Sequence, residues 1–185
     1  VVLGRGIDLS LVANMAISVA WAIQLMENGM PIVGALTVGL FFALGMSLIS
    51  GILIAYAEIP PLFATLAMAT LIYGFGRAHL ITGTDVVYLP SDIGWLLELG
   101  QGRLFGIPMP IILAAVLASA IYLFLRYTKP GRFIYAIGDN LAAARITGIS
   151  VRPMLVSQYV IAGGISFIAG IITATSVQAM NTRVV

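Results

Sequence analysis

The stretch IVGALTVGLFFALGMSLISGILIAY, residues 32–56, contains no charged side chain. It follows Pro31, a residue suited to the first turn of a helix, and it gives way to Glu58 and the turn-forming residues Pro60 and Pro61. A bilayer hydrocarbon core about 30 Å thick is crossed by about 20 helical residues. The stretch is longer than that and therefore predicts a transmembrane helix.

The whole chain has the composition of a membrane protein. Of its 185 residues 61% are hydrophobic and 9% are charged, and the mean hydropathy is +1.08. A soluble domain carries roughly a quarter charged residues. The sequence lacks the sustained alternation of polar and apolar residues that a membrane β-barrel requires. The predicted fold class is all-α, a polytopic bundle of transmembrane helices.

Charged and turn-forming residues divide the chain into five predicted membrane segments. They are residues 9–26, 32–56, 62–81, 109–127 and 154–177. On three of them small residues recur at every fourth position, which favours close helix packing in lipid, although small residues are common in all membrane helices. The three series are Ala43, Ser47, Gly51 and Ala55; Thr70, Gly74 and Ala78; and Ala162, Ser166, Gly170 and Ala174.

The two long loops differ in charge. The loop 82–108 is net acidic, whereas the loop 128–153 is rich in Lys and Arg. Because cytoplasmic loops are enriched in basic residues, we expect the loop 128–153 inside the cell and the loop 82–108 outside.

Several classes of function are excluded by residue counts. The chain has no cysteine, so it has neither a disulfide framework nor a cysteine-based metal site, and a single histidine, His79, makes no metal cluster. A net charge of +2, spread between apolar segments, gives no basic face for nucleic acid. We predict no metal and no cofactor in this chain.

The sequence GRGIDLS, residues 4–10, leads into the first predicted segment. Asp8 or Ser10 can cap the helix by accepting hydrogen bonds from its free N–H groups. The preceding glycines would let the backbone break within the membrane, which is tolerated where it is buried in protein or lines a wet cavity. An ordinary cap at the membrane surface and a transport pathway are both open interpretations.

Large apolar residues alternate with acids and glycines in the acidic loop. They are Tyr88, Trp95, Leu96, Leu97, Leu99 and Phe105. This pattern is typical of a stretch that lies in the membrane interface, and docking of an extracytoplasmic partner is the alternative. We interpret His79, next to this loop, as a surface residue rather than a proton relay.

The sequence GRFIYAIGDNLAAARITGI, residues 131–149, contains the signals of a short helix. Asn140 is a good N-cap, residues 141–145 are strong helix formers, and Gly148 is suited to a left-handed end. A helix of about two turns is marginal in water, so we expect it to lie against another element. The alternative is a solvated basic loop, which leaves the capping signals unexplained.

The pattern Gly-Arg-x-x-x-Ala-x-Gly-x-Asn-x-x-Ala-Ala-Arg-x-x-Gly-Ile of these residues resembles the cytoplasmic loop of carbohydrate permeases of the ribose and xylose type, in bacterial ABC importers. Three further stretches resemble the same family in its order: residues 6–10, residues 59–66, and residues 162–164 with 169–172. Asp139 stands where the family often has Gly, and Leu141 lacks the usual polar or proline character. The family's upstream helices and downstream Gly-rich segment are missing. We therefore expect residues 1–185 to be a single transmembrane permease domain, the central part of a longer protein.

The resemblance implies a set of partners. They are two cytoplasmic ABC ATPase subunits, a second permease copy or homologue, a periplasmic or lipid-anchored solute-binding protein, and the lipid bilayer of the bacterial plasma (inner) membrane. No Gly-x-x-x-x-Gly-Lys-Ser/Thr motif occurs, so ATP with Mg²⁺ is expected on the ATPase and this chain is not expected to be an enzyme. The implied ATPase-coupling loop comprises Gly131, Arg132, Gly138, Asn140, Ala143, Ala144, Arg145 and Gly148. We hypothesise that residues 140–148 dock in the ATPase as a rigid body, and that a bulky acid at Ala144 uncouples transport while the permease stays folded.

For the imported solute we expect a polar pathway near the start of the first segment. Its leading candidates are Asp8, Ser10 and Asn14, since Ser10 and Asn14 share one helical face, and Thr65 and Tyr73 are weaker candidates. The solute is predicted to be a sugar, with an autoinducer, a nucleoside or a branched-chain amino acid as alternatives. A secondary transporter is the alternative of another class, but most acids lie in loops rather than within spans. An intramembrane serine protease is disfavoured because His79 is the only histidine.

Overall fold

The computed structural model describes residues 1–4, 6–81, 85–90 and 93–182. This part of the chain is helical, as the sequence predicted, with four short strands. The helices are α1 (Leu11–Glu27), α2 (Ile32–Ala55), α3 (Pro61–Phe75), α4 (Gly94–Gln101), α5 (Met109–Tyr127), α6 (Lys129–Asp139), α7 (Leu141–Ile146) and α8 (Val151–Val177). The strands are β1 (Val86–Tyr88), β2 (Arg103–Leu104), β3 (Ile107–Pro108) and β4 (Ala179–Asn181). A 3₁₀ turn, Val2–Gly4, precedes α1, and a π-helical segment, Gly76–Leu80, follows α3.

Three of the described helices are long and apolar enough to cross a membrane: α2, α5 and α8. The first predicted segment, residues 9–26, begins later than expected. Residues 6–10 are not helical, and α1 starts at Leu11 and has 17 residues. The third is also shorter, because α3 ends at Phe75 and the π-helical segment replaces the last predicted turns. The other three predicted segments agree with α2, with α5 and, with an extension to Val151, with α8.

The core is formed by α1, α2 and α8, and α3 packs on α1. Two of the three predicted series of small residues face this core. A Cβ atom on Gly163 would overlap Ser47, and one on Gly51 would lie 3.0 Å from Val156 Cα, so α2 and α8 approach through small residues. The series on α3 does not pack in the described chain, since Thr70, Gly74 and Ala78 are exposed.

Helix α5 stands apart from this core. Within the described chain it has no buried residue, and its main contacts are with α4 and α6 at its two ends. A cavity of about 530 Å³, lined mainly by apolar side chains, separates it from α8. An apolar helix that is exposed all round is suited to a lipid environment.

The two long loops lie at opposite ends of the bundle. At one end α4 packs through Ile93 and Leu96 on Met26 of α1 and Ala35 of α2, and we call this the outer end. At the other, the inner end, Arg152 forms a salt bridge of 3.4 Å with Glu58, beside α6 and α7. This arrangement agrees with the alternation of loops that the charges predicted. Which end faces the cytoplasm stays a prediction.

The outer end is tied together by a small sheet and an ion pair. Strand β1 pairs antiparallel with β4, which follows α8. Arg77 forms a salt bridge of 2.7 Å with Asp85 and donates a hydrogen bond of 2.9 Å to Thr182 Oγ1. The end of α3, the loop before α4 and the segment after α8 are therefore connected. Of the apolar loop residues predicted to lie in the interface, Leu96 is buried, whereas Tyr88, Trp95 and Phe105 are exposed.

Candidate functional site

A buried polar cluster lies where α1 begins. We define it as Asp8, Ser10, Asn14 and Thr65, together with Gln158 and Tyr159 of α8. The backbone ahead of α1 is irregular and passes directly over α8: a Cβ atom on Gly4 would overlap the Gln158 amide, and one on Gly6 would overlap the Tyr159 hydroxyl. Glycine at both positions lets the non-helical segment lie against these two side chains without displacing them.

Asp8 organises the turn into α1. Its Oδ1 accepts hydrogen bonds from Ser10 N at 2.9 Å and from Ser10 Oγ at 2.6 Å. Of the two predicted capping residues, Ser10 makes no capping bond because its hydroxyl donates to Asp8, and Asp8 accepts from the N-cap residue Ser10 rather than from an N–H group within α1. The second carboxylate oxygen of Asp8 is buried and has no hydrogen-bond partner among the described residues.

Thr65 joins α3 to the irregular segment. It is completely buried, its Oγ1 accepts a hydrogen bond of 3.2 Å from Leu9 N, and the hydroxyl donates to Pro61 O at 2.8 Å. Because Leu9 precedes α1, its N–H has no helical acceptor and needs a side-chain partner. Thr65 supplies that partner.

Asn14 joins α1 to α2 one turn further along. Its Nδ2 donates to Ala43 O at 3.1 Å and to Ser47 Oγ at 3.0 Å. The amide oxygen is buried and unpartnered within the described chain. Ser47 belongs to the series of small residues that packs on Gly163, so the helix contact and the polar cluster share a residue.

The cluster contains unsatisfied hydrogen-bonding capacity. In the described residues four buried side-chain atoms have no partner: Asp8 Oδ2, Asn14 Oδ1, Gln158 Nε2 and Tyr159 Oη. Two are acceptors, one is a donor, and the tyrosine hydroxyl can act as either. Each unsatisfied buried polar group lowers the stability of the fold by about 1–3 kcal/mol. Such groups are therefore expected only where a ligand or another conformation of the protein satisfies them. A hydroxyl group has both the donor and the acceptor that these atoms lack.

The structure brings four of the five predicted pathway residues together and leaves one apart. Tyr73 lies eight residues beyond Thr65, about 12 Å along α3, and its ring is 6.0 Å from the Arg77 guanidinium near the outer end. Sequence reasoning missed Gln158 and Tyr159. A glutamine inside the apolar segment 154–177 was the available signal, because polar residues in membrane helices are rare.

Helices α6 and α7 form a second site, which we call the α6–α7 unit. Asn140 Oδ1 accepts hydrogen bonds of 3.0 Å from the N–H groups of Ala142 and Ala143, as its predicted capping role requires. Gly148 has φ +81°, and Ile149 N donates to Ala144 O at 3.1 Å, which closes the predicted left-handed end. The short helix is confirmed. Helix α6, which Thr128 caps at Gly131 N, was not predicted.

The unit packs on the inner end of the bundle. Ile137 and Ala144 are buried against Val151 at the start of α8. Gly138 packs on the segment ahead of α1, where a Cβ atom would overlap the Leu3 carbonyl oxygen, and Gly131 packs in the same way on the backbone of α5 at Leu125. The unit therefore contacts α5, α8 and the segment that leads to Asp8.

The predicted coupling residues divide into two faces. Gly131 and Ala144 are buried and Gly138 is half-buried, so these three position the unit. The remaining five are exposed: Arg132, Asn140, Ala143, Arg145 and Gly148. Ile146, which the sequence analysis did not select, is 87% exposed beside Arg145 and adds an apolar side chain to this face.

Comparison with known proteins identifies the family. The sequence model of the family described as the permease component of branched-chain amino acid transport systems matches residues 1–184. The chain belongs to this permease family. The resemblance found in the sequence is thereby confirmed.

Curated relatives of this permease chain are named as sugar permeases. It is 36% identical to the galactofuranose transporter permease protein of Escherichia coli K12 over 96% of the chain and 51% of that protein. It is 34% identical to the ribose import permease protein of Bacillus subtilis 168, over 93% of the chain and 53% of that protein. For the fructose import permease protein of Bifidobacterium longum the identity is 31%, over 95% and 49%. The chain spans about half the length of these relatives. No solved structure matches it significantly.

In this permease chain the two sites are physically connected. Leu3 contacts Gly138 of α6, Gly4 contacts Gln158, and Gly6 contacts Tyr159, all within the segment that ends at Asp8. The segment that ends at Asp8 therefore contacts both the α6–α7 unit and the polar cluster. Coupling between sites requires such a contiguous chain of packed groups that has two arrangements.

Proposed function

We propose that the full-length protein is the membrane-spanning permease subunit of an ATP-driven importer that carries a sugar across the bacterial plasma (inner) membrane. The observation that carries this proposal is the polar cluster, in which buried donors and acceptors have no partner among the described residues of an apolar helix bundle. Membership of the permease family supports the transport role. The printed names of the relatives support a sugar.

The chemistry of the cluster favours a polyhydroxyl solute. A sugar hydroxyl donates one hydrogen bond and accepts others. It can therefore donate to Asp8 Oδ2 or Asn14 Oδ1 and accept from Gln158 Nε2. Asp8, Ser10, Asn14 and Thr65 are proposed as pathway residues, joined by Gln158 and Tyr159. Tyr73 is proposed only as a residue of the outer part of the pathway.

The α6–α7 unit is proposed to move together with the ATPase subunit during ATP hydrolysis. Its exposed face, with Ala143, Arg145 and Ile146, would dock on an ABC ATPase subunit that binds and hydrolyses ATP with Mg²⁺. Its buried face would pass the movement to α8 and to the segment ahead of α1. The complete importer would contain two ATPase subunits, a second permease copy or homologue, and a periplasmic or lipid-anchored solute-binding protein. The permease itself would catalyse no reaction.

Reconstitution tests this function. The full-length protein would be placed in proteoliposomes with its ATPase and solute-binding protein, and uptake of labelled ribose, galactose, fructose and leucine would be measured. We expect uptake of a sugar that needs ATP hydrolysis and persists in the presence of a proton ionophore. Uptake of leucine alone would overturn the sugar assignment. Uptake driven by an ion gradient without ATP would overturn the importer class in favour of a secondary transporter.

A further inference from the structure

The hairpin formed by β2 and β3 presents an aromatic side chain at its tip. Arg103 pairs with Pro108 and Leu104 with Ile107, which leaves Phe105 and Gly106 as a two-residue turn. Both turn residues have positive φ, +51° at Phe105 and +82° at Gly106. Such turns favour Asn or Gly at the first position, and a bulky residue there is strained. The local backbone therefore does not account for the phenylalanine.

The side chain of Phe105 is 96% exposed, and its neighbours in the hairpin are also apolar. Leu104 and Ile107 are each 47% exposed. On α5 the exposed apolar surface continues directly at Ile111. The hairpin and the first turn of α5 thus form one continuous apolar surface in the described chain.

The hairpin is held in a fixed place at the end of α5. Met109 N, the first residue of α5, donates a hydrogen bond of 2.9 Å to Gly102 O at the base of the hairpin. Helix α5 has 19 residues and is therefore about 28 Å long, close to the thickness of the hydrocarbon core. Met109 must then lie near the boundary of that core, and the hairpin must lie in the adjacent interfacial layer.

We propose that the β2–β3 hairpin is a lipid-binding anchor, in which Phe105, Leu104 and Ile107 insert into the interfacial layer of the bilayer leaflet at the outer end. Aromatic side chains concentrate at this depth in membrane proteins. The exposed Arg103 at the base of the hairpin supplies a cation for lipid phosphates. The anchor fixes the start of α5 at the membrane surface. It does not depend on the identity of the transported solute.

A spin label on the full-length protein tests the anchor. Phe105→Cys would be labelled with a nitroxide in a cysteine-free background and placed in bilayers of phosphatidylethanolamine and phosphatidylglycerol. The matched control is Glu98→Cys, an exposed position on α4 with a charged native side chain. We expect the label at position 105 to be several times more accessible to oxygen than to a water-soluble nickel chelate, and the label at position 98 to show the opposite preference.

Two outcomes would overturn the proposal. Chelate access at position 105 equal to that at position 98 would place the hairpin in water. Low access to both reagents, or chelate access that falls only when the solute-binding protein is added, would show that protein rather than lipid covers the tip. A second variant, Phe105→Trp in a background with Trp21→Phe and Trp95→Phe, checks that the tip is unperturbed, because a brominated lipid should quench its fluorescence if the native geometry is kept.

Discussion

Gly138 of α6 packs directly on Leu3, so closely that a Cβ atom at position 138 would overlap the Leu3 carbonyl oxygen. This contact joins the α6–α7 unit to the segment that carries Asp8. We infer that this backbone contact is one physical route between the two proposed functional sites.

Gly138→Ala should weaken this route. The added methyl group must displace either α6 or the 3₁₀ turn, and overpacking of this kind costs about 1–3 kcal/mol. We expect a lower melting temperature and fewer solute molecules imported per ATP hydrolysed. Gly45→Ala on α2 is the matched control, since a Cβ atom there would meet no described atom within 4 Å. If both variants imported the same number of solute molecules per ATP hydrolysed, the contact would not couple the two sites.

Tyr159→Phe should separate stability from transport. The Tyr159 hydroxyl is buried and has no partner in the described structure, so its removal takes away a group whose burial costs about 1–3 kcal/mol. We expect the melting temperature to stay the same or rise while sugar uptake falls several-fold. Tyr127→Phe, at an exposed tyrosine, should change neither. A loss of stability in Tyr159→Phe would show that the hydroxyl is structural.

Thr65→Val should destabilise the start of α1. The change keeps the shape but removes the acceptor of Leu9 N, leaving a buried N–H group at a cost of about 1–3 kcal/mol. Thr70→Val is the control on the same helix, because among the described residues its exposed hydroxyl donates only to Leu66 O of its own helix. Thermal unfolding of the two variants in detergent measures the difference. Similar melting temperatures would mean that the bond to Leu9 contributes little.

Much of the helical framework could be predicted because it depends on local sequence. Long apolar stretches locate α2, α5 and α8, and the side chain of Asn140 together with Gly148 defines both ends of α7. These signals act within one element. A prediction from them needs no knowledge of the neighbouring helices.

The remaining features depend on contacts between distant residues. Helix α6 contains two glycines and a proline, which lower its intrinsic helix propensity, and burial of Ile134 and Ile137 stabilises it. The role of Gln158 and Tyr159 depends on their position under Gly4 and Gly6, more than 150 residues earlier in the chain. Tyr73 has a suitable side chain but lies about 12 Å beyond Thr65 along α3, outside the cluster. Residue type alone could not make these distinctions.

Adjacent alanines on α7 allow docking and folding to be tested separately. Ala143 is exposed and Ala144 is buried against Ile137 and Val151, so a bulky acid at position 144, the uncoupling change expected from the sequence, must also disturb packing. We therefore expect Ala143→Glu to weaken association with the ATPase and reduce uptake at an unchanged melting temperature. Ala144→Glu should instead lower the melting temperature, because it buries an unpaired charge. Co-purification and thermal unfolding measure the two effects. If Ala143→Glu retained full ATPase binding and uptake, the exposed face of α7 would not be the docking surface.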